Sequence, residues 1–260
     1  MDDEKYSIKS VARCLKILDL ASSFDRPLTI NDVCDSLGIN INMAFRMLST
    51  LTAAGYLIKN EKTGFYSVSL RALHLSRNAL LSLDVRKFAM PYLEMLWNQY
   101  PNANINLAIY YEGEVMLIDR YYSLNIPRTF FYPGKTVPFH CTALGKVLTC
   151  ELSEAEIDRL IAEKGLKSFT PKTITNPAEL KADLARARAE HLARDREEFI
   201  IEDNCNAVPI RNQEGNIIAA ISLAAFESYM PVQEVEETIP ALRNTAHCIS
   251  STMGYQNGII

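Results

Sequence analysis

The chain has 260 residues and a formal net charge of −4, with 48% hydrophobic and 22% charged residues. That length and balance suit one or two globular domains with a sizeable core, and they argue against wholesale disorder. The longest apolar stretch, Ile217–Phe226, is too short to span a bilayer.

The charge is not evenly spread. Residues 1–77 carry ten Lys+Arg against eight Asp+Glu, whereas residues 78–260 carry seventeen against twenty-three. A nucleic-acid partner would meet the N-terminal part, with an affinity that needs two copies and falls with salt. The six cysteines, Cys14, Cys34, Cys141, Cys150, Cys205 and Cys248, contain no Cys-x-x-Cys pair. The acidic start Met1-Asp2-Asp3-Glu4 does not read as a secretory leader. Free thiols and a cytoplasmic location are expected.

A first helix is expected over residues 10–22, with Val11, Leu15, Leu18 and Ala21 facing a core. Thr29-Ile30-Asn31-Asp32 has the form of a helix start with its acidic group three residues after the cap, and Gly38 suits the left-handed end of that helix. Asn40 then caps a second helix on which Ile41, Ala44, Leu48 and Leu51 form an apolar stripe, stopped by Gly55. Residues 56–58 and 66–70 read as two strands around the turn Asn60-Glu61-Lys62-Thr63-Gly64. Helix, turn, helix and hairpin in that order make a winged helix-turn-helix, whose second helix enters the DNA major groove. Its polar face holds Asn42, Arg46, Ser49 and Thr50 at helical spacing. Asn and Arg read base edges bidentately, and Ser and Thr reach bases or phosphates. An ordinary solvated face would hold the same residue types. The complete order of elements is what favours DNA.

Residues 73–83 have helical periodicity and join this module to the rest. A helix over residues 85–100 follows, carrying Phe88, Leu93, Leu96 and the only tryptophan, Trp97. Pro91 lies inside it, so a kink or break near Met90 is expected. The domains are drawn at 1–75, a linker helix at 76–84, and a second domain at 85–260. In that domain Ile105, Leu107 and Ile109 alternate as in a half-buried strand, and Glu112-Gly113-Glu114 turns into a second strand over residues 115–118. Residues 141–149 read as a short helix. Ser153 with Glu156 is a capping box, and Asn176-Pro177-Ala178-Glu179 opens a long helix. Residues 207–210 and 216–225 read as strands, and residues 231–253 as one closing helix. The class is α+β, with a sensor-like second domain.

With these motifs in place, the chain resembles the IclR family of bacterial transcriptional regulators. The resemblance spans residues 7–255. In the N-terminal half it rests on Ser10-Val11-x-Arg13-x-Leu15-x-Ile17-Leu18, Arg46-Met47-Leu48-x-Thr50-Leu51 and Gly55-Tyr56-Leu57. Beyond them it rests on His140-x-Thr142-Ala143-x-Gly145-Lys146-Val147-Leu148, Asp195-x-Glu197-Glu198, Cys205-x-Ala207-x-Pro209-Ile210 and Ala219-Ala220-Ile221-Ser222. It implies a winged helix joined by a helix to a GAF-like α/β effector-binding domain. It also implies a homodimer or tetramer on double-stranded, palindromic operator DNA, and a repressor controlled by a small anionic effector. Similarity is greatest to branches that sense sugar acids. The implied DNA contacts are Arg13 and Arg46, within a set that also holds Thr29, Asn40, Asn42, Met43, Phe45, Thr50 and Lys62. The implied effector residues are Arg128, Thr129, Thr142, Ala143, Leu144, Asp195, Cys205 and Ser222. The chain departs from the family pattern at Asn40-Ile41-Asn42-Met43, which opens the recognition helix. It departs again at His191-Leu192, where Gly-Tyr is usual, and at Glu202, where glycine is usual.

The effector residues also have a chemical logic of their own. A helix N-terminus near Cys141-Thr142-Ala143 offers backbone N–H groups to a carboxylate. Ser222 can donate to a ligand hydroxyl and Asp195 can accept from one. A small hydroxylated or keto acid fits. Cys205 and Ser222 equally suit an apolar core, His140 suits a cap on the following helix, and Arg128 suits a surface salt bridge. An enzyme is the rival class, but His140 and Cys141 are chain neighbours that rarely face each other, and Cys205 has no visible base. His74, His140, His191 and His247 lack metal-ligand spacing, and no phosphate-binding glycine loop is present. No catalysis, cofactor or metal is expected. A winged helix that binds protein rather than DNA is the second alternative.

Overall fold

The computed structural model of the protein describes residues 7–124 and 131–256, so the expected effector residues Arg128 and Thr129 lie outside the described residues. The chain divides between Ser82 and Leu83 into two compact units.

The first unit holds α1 (Lys9–Ser23), α2 (Ile30–Leu37), α3 (Ile41–Ala53), β1 (Leu57–Lys59), β2 (Tyr66–Val68) and α4 (Ala72–Leu81). Its helices begin and end where local chemistry dictates. The Thr29 hydroxyl accepts from the Asp32 N–H at 3.2 Å, and the Asp32 carboxylate accepts from the Thr29 N–H at 2.8 Å. Gly38 takes φ 61° and closes α2. Asn40 caps α3 by accepting from the Met43 N–H at 2.9 Å. β1 and β2 pair antiparallel as the wing. Ile17, Leu28, Val33, Ala44, Met47, Leu48, Leu51, Leu57 and Tyr66 form the core.

Two apolar assignments differ from the sequence expectation. Val11 and Leu15 are 52% and 57% exposed. The buried stripe of α1 is Ile17 with Cys14, Leu18 and Ala21 against the core, an i, i+3, i+4, i+7 set that shares only Leu18 and Ala21 with the expected one. On α3, Ile41 is 56% exposed and Met47 is buried in its place.

The second unit holds α5 (Asp84–Gln99), β3 (Asn104–Tyr111), β4 (Glu114–Tyr121), β5 (Thr136–Val137), α6 (Ala143–Thr149), α7 (Glu154–Lys164) and α8 (Pro177–Glu190). β6 (Ala193–Arg196), β7 (Asp203–Arg211), β8 (Ile217–Phe226), α9 (Val232–Glu237) and α10 (Ile239–Thr252) complete it. The strands form one antiparallel sheet in the order β5-β4-β3-β8-β7-β6. α5 and α10 pack together on the sheet, while α6 packs against β3, β4, β6, β7 and β8 and is backed by α8. α5 runs through Pro91 without a break. The ring lies on an exposed face, where water can satisfy the backbone carbonyl that proline leaves unpaired. The closing segment is two helices rather than one. Pro240 occupies the first turn of α10, and Thr238 ends α9 with its hydroxyl donated to the Val235 carbonyl at 2.7 Å. β5 and β6 are additional to the expected strands.

His191 and Glu202, where the resemblance implies glycine, have left-handed backbone at φ 50° and φ 64°. The loop geometry therefore survives the substitutions at the cost of strain. Left-handed backbone costs a residue with a Cβ about 1–2 kcal/mol, and glycine loses roughly 0.5–1 kcal/mol of this advantage through its freer unfolded chain. Glu202 is exposed, and its N–H bond to the Glu197 carboxylate at 3.1 Å needs no side chain of its own. Glu202→Gly is therefore expected to stabilise the unit by about 0.5–1 kcal/mol, read as a higher urea midpoint of Trp97 fluorescence. A lowered midpoint would show that the glutamate side chain outweighs the strain.

Candidate functional site

Each unit carries a candidate site. In the first, Asn42, Phe45, Arg46, Ser49 and Thr50 are exposed along α3. Thr50 donates to the Arg46 carbonyl at 2.8 Å, which leaves its oxygen free to accept. Arg13 reaches across from α1, with Nη1 3.2 Å from the Met43 sulfur, and an open groove runs between Arg13, Asn42, Arg46 and Thr50. Thr29 and Asn40 spend their side-chain oxygens on capping. Lys62 is exposed at the wing turn, its N–H held by Asn60 Oδ1 at 2.9 Å. The face is polar and cationic, and it projects from a helix whose start is capped by Asn40.

In the second unit, a small cavity, partly open to solvent, lies between the sheet and α6. Thr142, Ala143, Leu144, Asp195, Cys205 and Ser222 all line it. Strand register brings the sheet residues together. Asn106 sits opposite both Arg120 and Ser222, and Cys205 sits opposite both Asp195 and Ala224. α6 meets the segment that follows β5 closely because residue 145 is glycine, since a Cβ there would come within 2.5 Å of the Pro138 carbonyl oxygen and 2.6 Å of Phe139 Cα. Thr142 accepts from the Gly145 N–H at 3.0 Å and donates to the Pro138 carbonyl at 2.7 Å. α6 is therefore shorter than expected, at seven residues, and part of its N-terminal N–H set is already capped. The larger positive group in the cavity is one the sequence reading did not name, Arg120.

Arg120 is 9% exposed and has no carboxylate within ion-pair distance among the described residues. Its guanidinium lies over the rings of Tyr122 and Phe131, 5.1 and 5.0 Å from their centroids. Burial lowers its pKa to about 10. Asn106 and Asp203 also line the cavity and were not foreseen. Asn106 Nδ2 donates to Ser222 Oγ at 3.0 Å. Burial raises Asp203 to about 6, against the pull of Arg120.

Asp195 is the most perturbed carboxyl. Its Oδ1 accepts from the Glu198 N–H at 2.8 Å, yet burial, together with the charges of Glu198 and Asp203, raises its pKa to about 8, with Lys146 opposing. The same burial and the neighbouring carboxylates push the Cys205 thiol well above its ordinary value, and burial does the same to Cys141. Protonated buried thiols are poor nucleophiles.

Asp195 makes folding pH-dependent. Its folded pKa lies above the unfolded one, so the folded unit holds a proton that the unfolded chain releases. The resulting destabilisation is absent below about pH 4 and grows to about pH 8. Asp195→Asn keeps an acceptor for the Glu198 N–H and removes the titration. Its melting temperature is expected to exceed the parent's at pH 8 and to match it near pH 4. A gain of equal size at both pH values would refute the buried-proton account.

The IclR helix-turn-helix domain family matches residues 10–61, and the bacterial transcriptional regulator IclR C-terminal family matches residues 77–251. HTH-type transcriptional regulator XynR of Escherichia coli strain K12 is 30% identical over 248 residues, covering 95% of this chain and 98% of XynR. HTH-type transcriptional repressor AllR of the same strain is 26% identical, covering 95% and 90%. The fold matches the crystal structure of an IclR homologue from Microbacterium hydrocarbonoxydans complexed with 4-hydroxybenzoate. That match has a TM-score of 0.78 and 23% identity, covering 94% of this chain and 98% of that one. A winged helix and an α/β domain with a cavity, matched in the same order to both family domains, make this chain a transcriptional regulator with an effector-binding domain, and it belongs to the IclR family.

Proposed function

We propose that the protein is a cytoplasmic repressor that holds a palindromic operator as a homodimer or tetramer and releases it when a small organic acid enters the cavity. The observation that carries this reading is the convergence of Thr142, Asp195, Cys205, Ser222 and the buried Arg120 on one cavity, in a chain that also exposes the polar face of α3. AllR is a repressor by name, and the Microbacterium homologue holds an aromatic acid. The contact set is Arg13, Asn42, Met43, Phe45, Arg46, Thr50 and Lys62, with Thr29 and Asn40 fixing the two helices through their caps. Residues 1–75 bind DNA, 76–84 join, and 85–260 bind effector. Two recognition helices must stay about 34 Å apart to engage adjacent major grooves. An effector weakens operator binding only as far as it discriminates between arrangements of the pair, typically about 1–3 kcal/mol.

The test is anisotropy of labelled duplex from the region upstream of the protein's own gene, titrated with the full chain. Binding is expected to weaken with salt and to fall by roughly 5–150-fold when the effector is added. Tighter binding with effector would overturn the repressor reading. Failure to bind any duplex at low salt would favour the protein-interaction alternative.

A further inference from the structure

α3 carries two rows of exposed side chains, and only one of them is polar. Asn42 and Arg46 stand four residues apart, with Ser49 three further on, and all three are exposed. One position earlier, Ile41 and Phe45 also stand four apart, and they are 56% and 53% exposed. Residues at that spacing lie one above the other on a helix. Neither belongs to the core of the winged helix, which α3 meets through Ala44, Met47, Leu48 and Leu51. Helix propensity does not account for them, because a β-branched and an aromatic residue form helix less readily than alanine, leucine or lysine. Both lie in the first half of the 13-residue helix, the part of a recognition helix that contacts base edges. A single exposed apolar residue is ordinary. An isoleucine and a phenylalanine stacked beside a row suited to reading bases form an apolar surface continuous with that interface.

The major groove offers one apolar group to such a surface, the C5 methyl of thymine. That methyl sits at the side of the groove, toward the backbone of its own strand. Ile41 and Phe45 are turned roughly 100° round the helix axis from Asn42 and Arg46. With the polar row aimed at the middle of the groove, the apolar row faces one side of it. We propose that Ile41 and Phe45 read thymine methyls, so that each half-site places thymines beside the bases met by Asn42 and Arg46. This inference rests on the reading of α3 as the recognition helix and gives it a base preference. The two side chains are about 6 Å apart along the axis, and base pairs rise about 3.4 Å each, so the methyls lie up to two steps apart. One A·T pair can serve both rows, with N7 and N6 of adenine offered to Asn42 and the thymine methyl to its apolar neighbours. Cytosine in place of thymine presents its N4 donor to side chains that cannot accept it, so the apolar row disfavours G·C as well as favouring A·T.

The experiment selects duplexes from a random pool with the full chain and remakes the best-bound one with deoxyuridine at every thymine. Deoxyuridine pairs as thymine does and lacks only the methyl. Affinity, read by fluorescence anisotropy, is expected to fall about tenfold or more, at roughly fourfold for each buried methyl. Ile41→Ala and Phe45→Ala together are expected to weaken binding of the thymine duplex and to abolish the distinction between the two duplexes. Phe45→Leu keeps an apolar contact and is expected to retain part of the deoxyuridine penalty. Arg46→Ala is expected to retain all of it, because Arg46 stands on the other row. Circular dichroism melts check that the variants fold, and the comparison of the two duplexes on the parent needs no variant. Equal affinity of the parent for both duplexes overturns the proposal. A penalty undiminished in the double variant does so too, since it then belongs to the shape of the duplex. Either result leaves DNA binding through α3 standing. If the chain retains no duplex from the pool, the DNA reading itself falls and this inference falls with it.

Discussion

Lys146→Met is expected to lower the melting temperature of the second unit by about 10 °C at neutral pH. Lys146 is charged yet 1% exposed. Its Nζ donates to Glu198 Oε1 at 2.6 Å and to the Arg194 carbonyl at 3.0 Å, and it pairs with Asp183 at 2.7 Å. One ammonium thus ties α6 to α8 and to the turn that follows β6. Methionine fills the volume but leaves two carboxylates facing each other without a cation. Breaking a buried pair from one side typically costs about 3–5 kcal/mol, and a unit of this size loses roughly 2–4 °C per kcal/mol. The loss has a pH signature. Burial already holds the Glu198 carboxyl above its ordinary range, and Lys146 opposes that rise. Without the lysine the folded-state value climbs further, so the deficit is largest above neutral pH and shrinks as acid neutralises Glu198. Trp97 is the only tryptophan, and its Nε1 donates to the Tyr122 carbonyl at 2.8 Å within this unit. Its fluorescence therefore reports this unfolding and not that of the winged helix. A melting temperature within about 2 °C of the parent at pH 7.5, or the same drop at pH 5, would contradict the assignment. Glu198 also donates its N–H to Asp195, so the variant is expected to lose effector affinity as well as stability.

The winged helix was readable because its boundaries are written in short-range chemistry. Thr29 with Asp32, Gly38 and Asn40 fix the helix ends by hydrogen bonds within three or four residues. The phase of α1 was not readable, because Leu18 and Ala21 belong both to the expected stripe and to the buried one, and only the packing of Cys14 and Ile17 decides between them. Asp195, Cys205 and Ser222 were legible through the family motifs, since in isolation they look like polar or small residues of ordinary strands. β6 was hidden by its own charges: Ala193-Arg194-Asp195-Arg196 reads as a solvated loop, yet Ala193 and Asp195 turn inward on alternate positions. Arg120 was hidden by a β-bulge. The register of β3 with β4 shifts between Leu107 and Ala108, so Ala108 pairs with Leu117 while Leu107 pairs with Asp119, and Ile118 is the extra residue. The extra residue breaks simple alternation, and Leu117 and Arg120 both reach the cavity despite their odd spacing. A strand-period reading sends the arginine to solvent. Tertiary register put it inside.

Arg46→Ala is expected to weaken operator binding by about 1–3 kcal/mol for each half-site engaged and to leave folding unchanged. Arg46 is exposed on α3, opposite the buried Ala44, Met47, Leu48 and Leu51. Its side chain makes no hydrogen bond or ion pair to another described residue, in contrast to Arg13, which leans on Met43. An exposed side chain without protein partners contributes within about 0.5 kcal/mol to stability, so any loss of binding belongs to the complex. The manner of the loss identifies the contact. If Arg46 reads a guanine edge, the penalty is confined to duplexes that keep that base, and the variant binds a substituted operator almost as well as the parent does. If it neutralises a phosphate, the penalty is uniform across sequences and the slope of log affinity against log salt falls by about one for each contact removed. Arg46→Lys separates the two again, since lysine keeps the charge but lacks the planar fork. Unchanged binding in Arg46→Ala at low and high salt would remove this residue from the interface and shift the reading task to Asn42 and Thr50 on the same face.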